Sequence, residues 1–299
     1  MDKMRAMEPT HFDTISESRL RALCGLPRKA LNTLLEAGEP ELVRQRAVAR
    51  ERPLRQRAPG GGRKRLLSPR REILLTLVYL RHNVAHEVVG ALFGVSADVS
   101  EDTFHEVVRV LRNVCPAQRW DAEKRWLKGE PSWQPADLER VLIDSFETPV
   151  PRPSQEPQQR QRYSGKKKRH TLKTQVVADR NGELLELDAG HRGPASDKRL
   201  YEQSGVRERY ARADQRADRG YPGCAGVQVP HKKPKGGTLT DEQRAANHVL
   251  ASERVPVEHA IRRIKAFKIM RGDYRLATGL FPCVAATVAG LIHVIRLVG

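Results

Sequence analysis

The dipeptide Asn181-Gly182 stands between two β-rich runs in "TLKTQVVADRNGELLELDAG" (171–190). Asn-Gly between such segments is a strong hairpin signal, so strand, tight turn and strand are predicted. This commits the second half of the chain to a sheet. The four cations of "GKKKR" lie directly before the first strand, as a basic loop leading into the hairpin. A solvated surface and a polyanion grip are both open readings of such a run.

The first half has a different period. Residues 17–48 carry helical spacing of Leu20, Leu23, Leu31, Leu34 and Leu35, with Pro27 and Pro40 as interruptions. The stretch 50–68, "RERPLRQRAPGGGRKRLLS", has the composition of a basic connector. A helix then starts at Ser68 as cap, with Pro69 at its first position and Glu72 in its first turn. The following segment gives an apolar helix through Phe93, a turn at Gly94-Val95-Ser96, and a second helix capped by Ser96. That is a helix-turn-helix pattern, although plain packing produces it too. Asp98, Glu101, Asp102 and Glu106 on the second helix disfavour contact with phosphates.

Residues 116–138, mixed and polar with Trp120, Trp126 and Trp133, mark the boundary at which the pattern turns from helical to β. "ERVLIDSFETPV" reads as a short apolar strand that ends in a carboxylate, Asp144, with Pro149 closing it, and the hairpin follows. Three regions are expected: 1–66, a helical segment and basic connector; 67–125, a helix-turn-helix domain; and 138–299, an α/β domain.

At 299 residues the chain can bury a core without staples. Cys24, Cys115, Cys224 and Cys283 form no C-x-x-C pair, so neither a zinc site nor a disulfide framework is indicated, and buried reduced thiols are expected. A net charge of +18 favours a polyanionic partner, with nucleic acid ahead of an anionic membrane. The apolar stretch "LFPCVAATVAGLIHVIRLVG" is interrupted by His293 and Arg296 and is expected as a packed terminal helix. No secretory signal is visible at the N-terminus, and a cytoplasmic location is expected.

Three acids stand out by context. Asp144 follows its apolar strand, Asp218 lies in "RADRGYPG" before a turn, and Glu258 sits on a helix in "SERVPVEHAIRRIKAFKI". Acids so placed could converge on a divalent cation, because carboxylate oxygens suit Mg²⁺ and Mn²⁺. At about 100° per residue, Glu258, Arg262 and Lys265 share one sector of their helix. A surface salt bridge and a ligand beside phosphate-binding cations both fit. Upstream, Thr240 and Gln243 form a capping box, and His231, Lys232, Lys233 and Lys235 flank the same region.

Together, "YSGKKKRHTLKTQ", "ADRGYPG", "HKKPKGGTLTDEQRAANHVLASERVPVEHAIRRIKAFKI" and "RAPGGGRKRLLSPRREILLTLVYLR" resemble the bacterial DDE transposases of the insertion-sequence-five type, relatives of the Harbinger nucleases, over roughly residues 50–295. The resemblance implies a ribonuclease-H-like α/β catalytic domain behind an all-α helix-turn-helix domain. It further implies that Asp144, Asp218 and Glu258 hold two Mg²⁺ ions, with Mn²⁺ as a substitute. The chain departs from the family with Ser145 after the first acid, Ser196 before Asp197, and Pro256 two residues before Glu258, the last expected only in a first helical turn. The implied activity is cleavage of element ends and joining of 3′-hydroxyls to target DNA, by a homodimer or larger assembly on double-stranded DNA. Lys166, Lys167, Lys168, Arg169 and Lys173 are expected to grip the DNA backbone, with Arg262 and Lys265 as further candidates. Asp197 and Glu147 are open between a supporting and a surface role. The alternative is a catalytically silent DNA-binding protein derived from such an element.

Overall fold

The computed structural model describes residues 9–51, 65–131 and 133–299. Most of the basic connector expected at 50–68 lies outside the described residues. The N-terminal helices are α1 (Pro9–Thr14), α2 (Glu17–Cys24), α3 (Arg28–Arg50), α4 (Pro69–His82), α5 (His86–Phe93), α6 (Ala97–Val114) and α7 (Arg119–Leu127). The sheet region follows with β1 (Arg140–Pro149), α8 (Glu156–Arg162), β2 (Tyr163–Ser164), β3 (Arg169–Asp179), β4 (Leu184–Arg192), α9 (Asp197–Gln203) and α10 (Val206–Arg209). The chain closes with β5 (Asp214–Ala217), β6 (Val227–Gln228), α11 (Asp241–Lys265) and α12 (Phe281–Val298).

The helix starts agree with their local chemistry. Ser68 accepts from the Arg71 N–H, Ser96 from the Val99 N–H, and Thr240 and Gln243 cap α11 reciprocally. Pro27 precedes α3 as expected, but α3 runs straight through Pro40. One missing N–H is outweighed there because Leu34, Leu35, Gly38 and Leu42 stay on one buried face. The helical hairpin is tight: a Cβ on Gly90 would stand 2.7 Å from the Val95 carbonyl oxygen, so only glycine lets α5 approach the turn. Across it, His86 Nδ1 lies 3.0 Å from Ser100 Oγ. Polar residues 116–138, expected as a boundary, contain α7, which packs on α12.

The sheet is mixed. β1 pairs antiparallel with β3, from Val141↔Asp179 to Pro149↔Thr171, and β3 pairs antiparallel with β4. On its other side β1 runs parallel to β5, and β5 parallel to β6. The spatial order β4-β3-β1-β5-β6, with β2 on the start of β3, thus passes from antiparallel to parallel at β1. The hairpin turn expected at this dipeptide is present between β3 and β4: Gly182 has φ 80°, Asn181 is not left-handed, and the Gly182 N–H donates to the Asp179 carbonyl at 2.9 Å. Asp179 secures it by accepting from the Asn181 and Glu183 N–H groups at 2.8 and 2.9 Å.

Each sheet face has its own core. Leu142, Phe146 and Val176 join Val257, Ala260 and Ile264 of α11 and the inner faces of α12, α3, α4 and α6. Val141, Ile143 and Val177 pack under Tyr201, Tyr210 and Tyr221. The first cluster runs without a break from Phe12 to Val294, so the helical region and the sheet share one core through α12. By length and composition Thr278–Val298 could cross a membrane, with a mean hydropathy of 1.9, but 61% of that window is buried inside the protein. His293 is tied to the Ala117 carbonyl at 3.1 Å, and burial pushes its imidazole down to about 4. Cys24, Cys115 and Cys224 are buried free thiols, and Cys283 is half-buried.

Candidate active site

The parallel register of β1 and β5 places the first two acids. Arg140 faces Asp214 and the pairing closes at Ile143↔Ala217. One step further, Asp144 on β1 and Asp218 just past the end of β5 come close enough for the charge of one carboxylate to act on the other. The sequence separation of the two acids equals the offset of the pairing, 218 − 144 = 74 and 214 − 140 = 74. β1 closes at Pro149 as expected, but Asp144 lies inside it and not at its end, because β3 pairs with β1 from Val141 to Pro149.

Asp218 is held from behind by its own turn. The Gly220 N–H donates to Asp218 Oδ1 at 2.7 Å. A Cβ at Gly220 would meet both Asp197 Oδ2 and Asp218 Oδ1, so glycine is what allows the two carboxylates to flank this turn. Asp197, open between two roles in the sequence, is therefore part of the site. It accepts from Ser145 Oγ at 2.5 Å and from Lys173 Nζ at 3.1 Å.

Burial pushes the Asp144 carboxyl up to about 6, and the charges of Asp218 and Asp197 add to the rise. Arg254 and the Ser145 N–H pull the other way: Arg254 Nη2 lies 3.1 Å from Asp144 Oδ2, and the N–H donates at 2.7 Å. Beneath the cluster the Tyr221 hydroxyl is fully buried and has no hydrogen-bond partner among the described residues. Burial and the fields of Asp197, Asp144 and Asp218 hold its pKa well above the ordinary phenol value.

Glu258 is placed less closely. It lies on the exposed side of α11, one helical turn after Arg254 and two before Lys265. Both of these neighbours reach β1, Arg254 at Asp144 and Lys265 over the Phe146 ring at 4.8 Å. Among the described residues, no three His, Cys, Asp or Glu side chains are already gathered closely enough to coordinate an ion. The donor set nevertheless fits a hard cation: Asp144 and Asp218 are adjacent acids, and a buried hydroxyl lacks a partner beside them.

Pro256 is not in a first turn as expected; it lies deep inside the 25-residue α11. Packing compensates for the lost N–H. Gly182 of the hairpin turn sits against Pro256, where a Cβ would come within 2.5 Å of its carbonyl oxygen, and Arg263 donates to the Gly182 carbonyl. The hairpin thereby braces the helix that carries Arg254 and Glu258.

The expected DNA-contacting cations fall into separate groups. Lys166, Lys167 and Lys168 are exposed on the loop before β3, with Lys168 at φ 54°. Burial lowers the Lys265 pKa, Lys167 lowers it further, and Asp144 opposes them, so this loop and the acids share one neighbourhood. Arg169 is engaged with Asp273. Lys173 does not belong with these: it is buried, donating to the Ala195 carbonyl at 2.5 Å and to Asp197, because its strand position points into the sheet's interior. Arg262 is exposed. Lys232, Lys233 and Lys235 are exposed on a loop fastened to α11 through His231 and Asn247, about 10 Å along the helix from Arg254. On α6 Glu106 is neutralised by Arg46 and Arg65, which leaves Asp98, Glu101 and Asp102 as the exposed acids of that helix.

Comparison with known proteins agrees with this geometry. Residues 143–294, from the strand of Asp144 into α12, match the DDE superfamily endonuclease family. The chain belongs to the DDE superfamily of endonucleases. Residues 64–116 of this DDE endonuclease match the helix-turn-helix of the same superfamily, which covers α4 to α6. A protein of Microchaete diplosiphon, named as a transposase for insertion sequence element IS702, is 27% identical over 287 residues, 93% of this chain and 95% of that protein. A second, of Streptomyces albus G, named as a transposase for insertion sequence element IS112, is 29% identical over 208 residues, 68% and 71% of the two chains. No solved structure matches this DDE endonuclease.

The raised Asp144 pKa has a measurable consequence. With a folded value near 6 against 3.8 for the free group, ionised Asp144 destabilises the metal-free fold above both values, and the penalty disappears below both. Asp144→Asn removes it, and is expected to raise the Tm at pH 7 by the equivalent of about 2–3 kcal/mol, with the gap closing toward pH 4. Thermal unfolding of both proteins in EDTA across that range checks it. His293 loses stability toward acid in both alike, so it cancels from the difference. A gap independent of pH would remove ionised Asp144 as its source.

Proposed function

We propose that this DDE endonuclease is a DNA transposase that cuts the ends of its element and joins their 3′-hydroxyls to target DNA. The observation that carries the reading is the proximity of Asp144 and Asp218, the residues that follow the last β1–β5 pair, Ile143↔Ala217, beside an exposed cationic loop. The names of both relatives agree with it. The strand order β4-β3-β1-β5-β6, antiparallel and then parallel, supports a ribonuclease-H-like catalytic domain. The helix-turn-helix region at 67–125 precedes it and supports binding of double-stranded DNA. Pairing of two element ends calls for a dimer or larger assembly.

Asp144, Asp218 and Glu258 would hold two divalent ions, Mg²⁺ or Mn²⁺. Such ions supply Lewis-acid stabilisation of the attacking and leaving oxygens of a phosphodiester. The chain's own groups do the rest. The Gly220 N–H fixes the Asp218 carboxylate, and Ser145 and Lys173 fix Asp197 against the same turn. Arg254 holds a positive charge at Asp144, and Lys265 carries another beside Phe146, where a scissile phosphate would need neutralisation. Lys166, Lys167 and Lys168 grip the backbone next to it.

The test is cleavage of a plasmid carrying the gene's native flanks, with Mg²⁺, Mn²⁺ or EDTA. Discrete metal-dependent cuts in the flanks, followed by joining of the cut ends to a second DNA, are expected. Cuts without joining would indicate a nuclease of another kind. The grip of the lysine loop is tested separately. Replacing Lys166, Lys167 and Lys168 by alanine is expected to weaken binding to all DNA alike, and to flatten the plot of log K against log salt by about 0.9 per lost phosphate contact. An unchanged slope in a titration would take the loop out of the interface.

A further inference from the structure

A second cationic feature lies outside both the acids and the lysine loop. A cleft of about 610 Å³ opens between α8, the end of β4 and α9. Arg160, His191, Arg192 and Arg199 line it from these three elements, and no carboxylate does. Arg160 is paired on its own helix with Glu156, an exposed pair of little strength, and His191 Nε2 lies 2.9 Å from Asp188. Arg192 and Arg199 are both exposed, and their guanidinium groups make no ion pair among the described residues. Two guanidinium forks without counter-charges in one concavity focus a positive potential there. Planar forks of this kind match phosphate oxygens in bidentate geometry.

The cleft is joined to the acids through a single short segment. Within 195–199, Ala195 and Arg199 line the cleft, while Asp197 between them turns toward Ser145, Lys173 and Gly220. The Ala195 carbonyl also accepts from Lys173, so the cleft wall and the support of the acids form one rigid piece. The cations come from three elements and are spread along an open cleft instead of converging on one point. That layout suits an extended chain of phosphates better than a single small anion.

We propose that the cleft of Arg192 and Arg199 binds the phosphodiester backbone of DNA, as a contact track separate from Lys166–Lys168 and continuous with the acids through residues 195–199. This rests on the reading of the chain as a DNA-cleaving enzyme and adds where the strand beyond the cleaved bond is held.

The test compares Arg192→Gln/Arg199→Gln with Arg207→Gln/Arg212→Gln, a pair of exposed arginines away from the cleft that changes the net charge equally. The full chain is titrated with duplex DNA carrying the gene's flanks, by fluorescence anisotropy at several salt concentrations, after equal Tm values show both variants folded. The cleft variant is expected to bind on the order of 10-fold more weakly, with a salt slope flatter by about 1.8, while the control keeps the wild-type slope. Equal slopes in the two variants, with wild type binding and cutting DNA, would overturn the cleft alone. Absence of salt-dependent DNA binding by wild type would overturn the cleft together with the reading beneath it.

Discussion

Asp218→Asn is expected to abolish metal-dependent cleavage of plasmid DNA, by on the order of 10³-fold or more, while DNA affinity stays within about twofold. Asparagine keeps the shape of the side chain, and its carbonyl oxygen can still accept the Gly220 N–H that now reaches Asp218 Oδ1 at 2.7 Å. The turn at Gly220 and the packing of Tyr221 therefore persist, and the Tm should change little. What disappears is one of the two adjacent negative charges at the end of the β1–β5 ladder. A hard divalent cation depends on anionic oxygens, and a neutral amide replaces them poorly. Loss of cutting together with retained DNA binding separates chemistry from recognition. Residual cutting near the wild-type rate would show that Asp218 is not the second acid.

Lys173→Met is expected to cost about 3 kcal/mol of stability, with a Tm lower by about 6 °C. Lys173 is buried, and its ammonium is the cation that neutralises Asp197. Methionine fills similar volume and leaves the half-buried Asp197 carboxylate with only the Ser145 hydroxyl among the described residues. Adding Asp197→Asn should restore a good part of the loss, since the uncompensated charge is then gone. Thermal unfolding of the two single variants and the double variant gives the coupling between them. The salt slope of DNA binding should be unaffected by Lys173→Met, in contrast with the lysine-loop variant. A flattened slope with unchanged Tm would place Lys173 on the DNA after all.

Signals carried by a few neighbouring residues are legible in the sequence itself. Ser68, Ser96 and Thr240 cap helices where their spacing indicates, and Asn181-Gly182 turns the β3–β4 hairpin. The apolar face of the Glu258 helix also matches, with Val257, Ala260 and Ile264 buried. These effects act within one or two helical turns or one hairpin, so they are written locally. Pro40 and Pro256 show where local rules are overruled: each removes a helical N–H, yet packing of Leu42 and of the Gly182 turn carries the helix through.

By itself the sequence determined the helix caps, the hairpin, the change from helical to β pattern, the free thiols, the positive charge, and three acids in a recognisable order. The tertiary structure decided which of them meet. A spacing of 74 residues has no meaning until β1 pairs parallel with β5 in the register that turns it into adjacency of Asp144 and Asp218. The buried Lys173, the Asp197 that it neutralises, and Arg254 at Asp144 likewise depend on contacts between residues 24 to 110 positions apart. The physical reason is that strand register and burial come from the packing of the whole core. A side chain's charge is fixed by its residue type, but its partner is fixed by the fold.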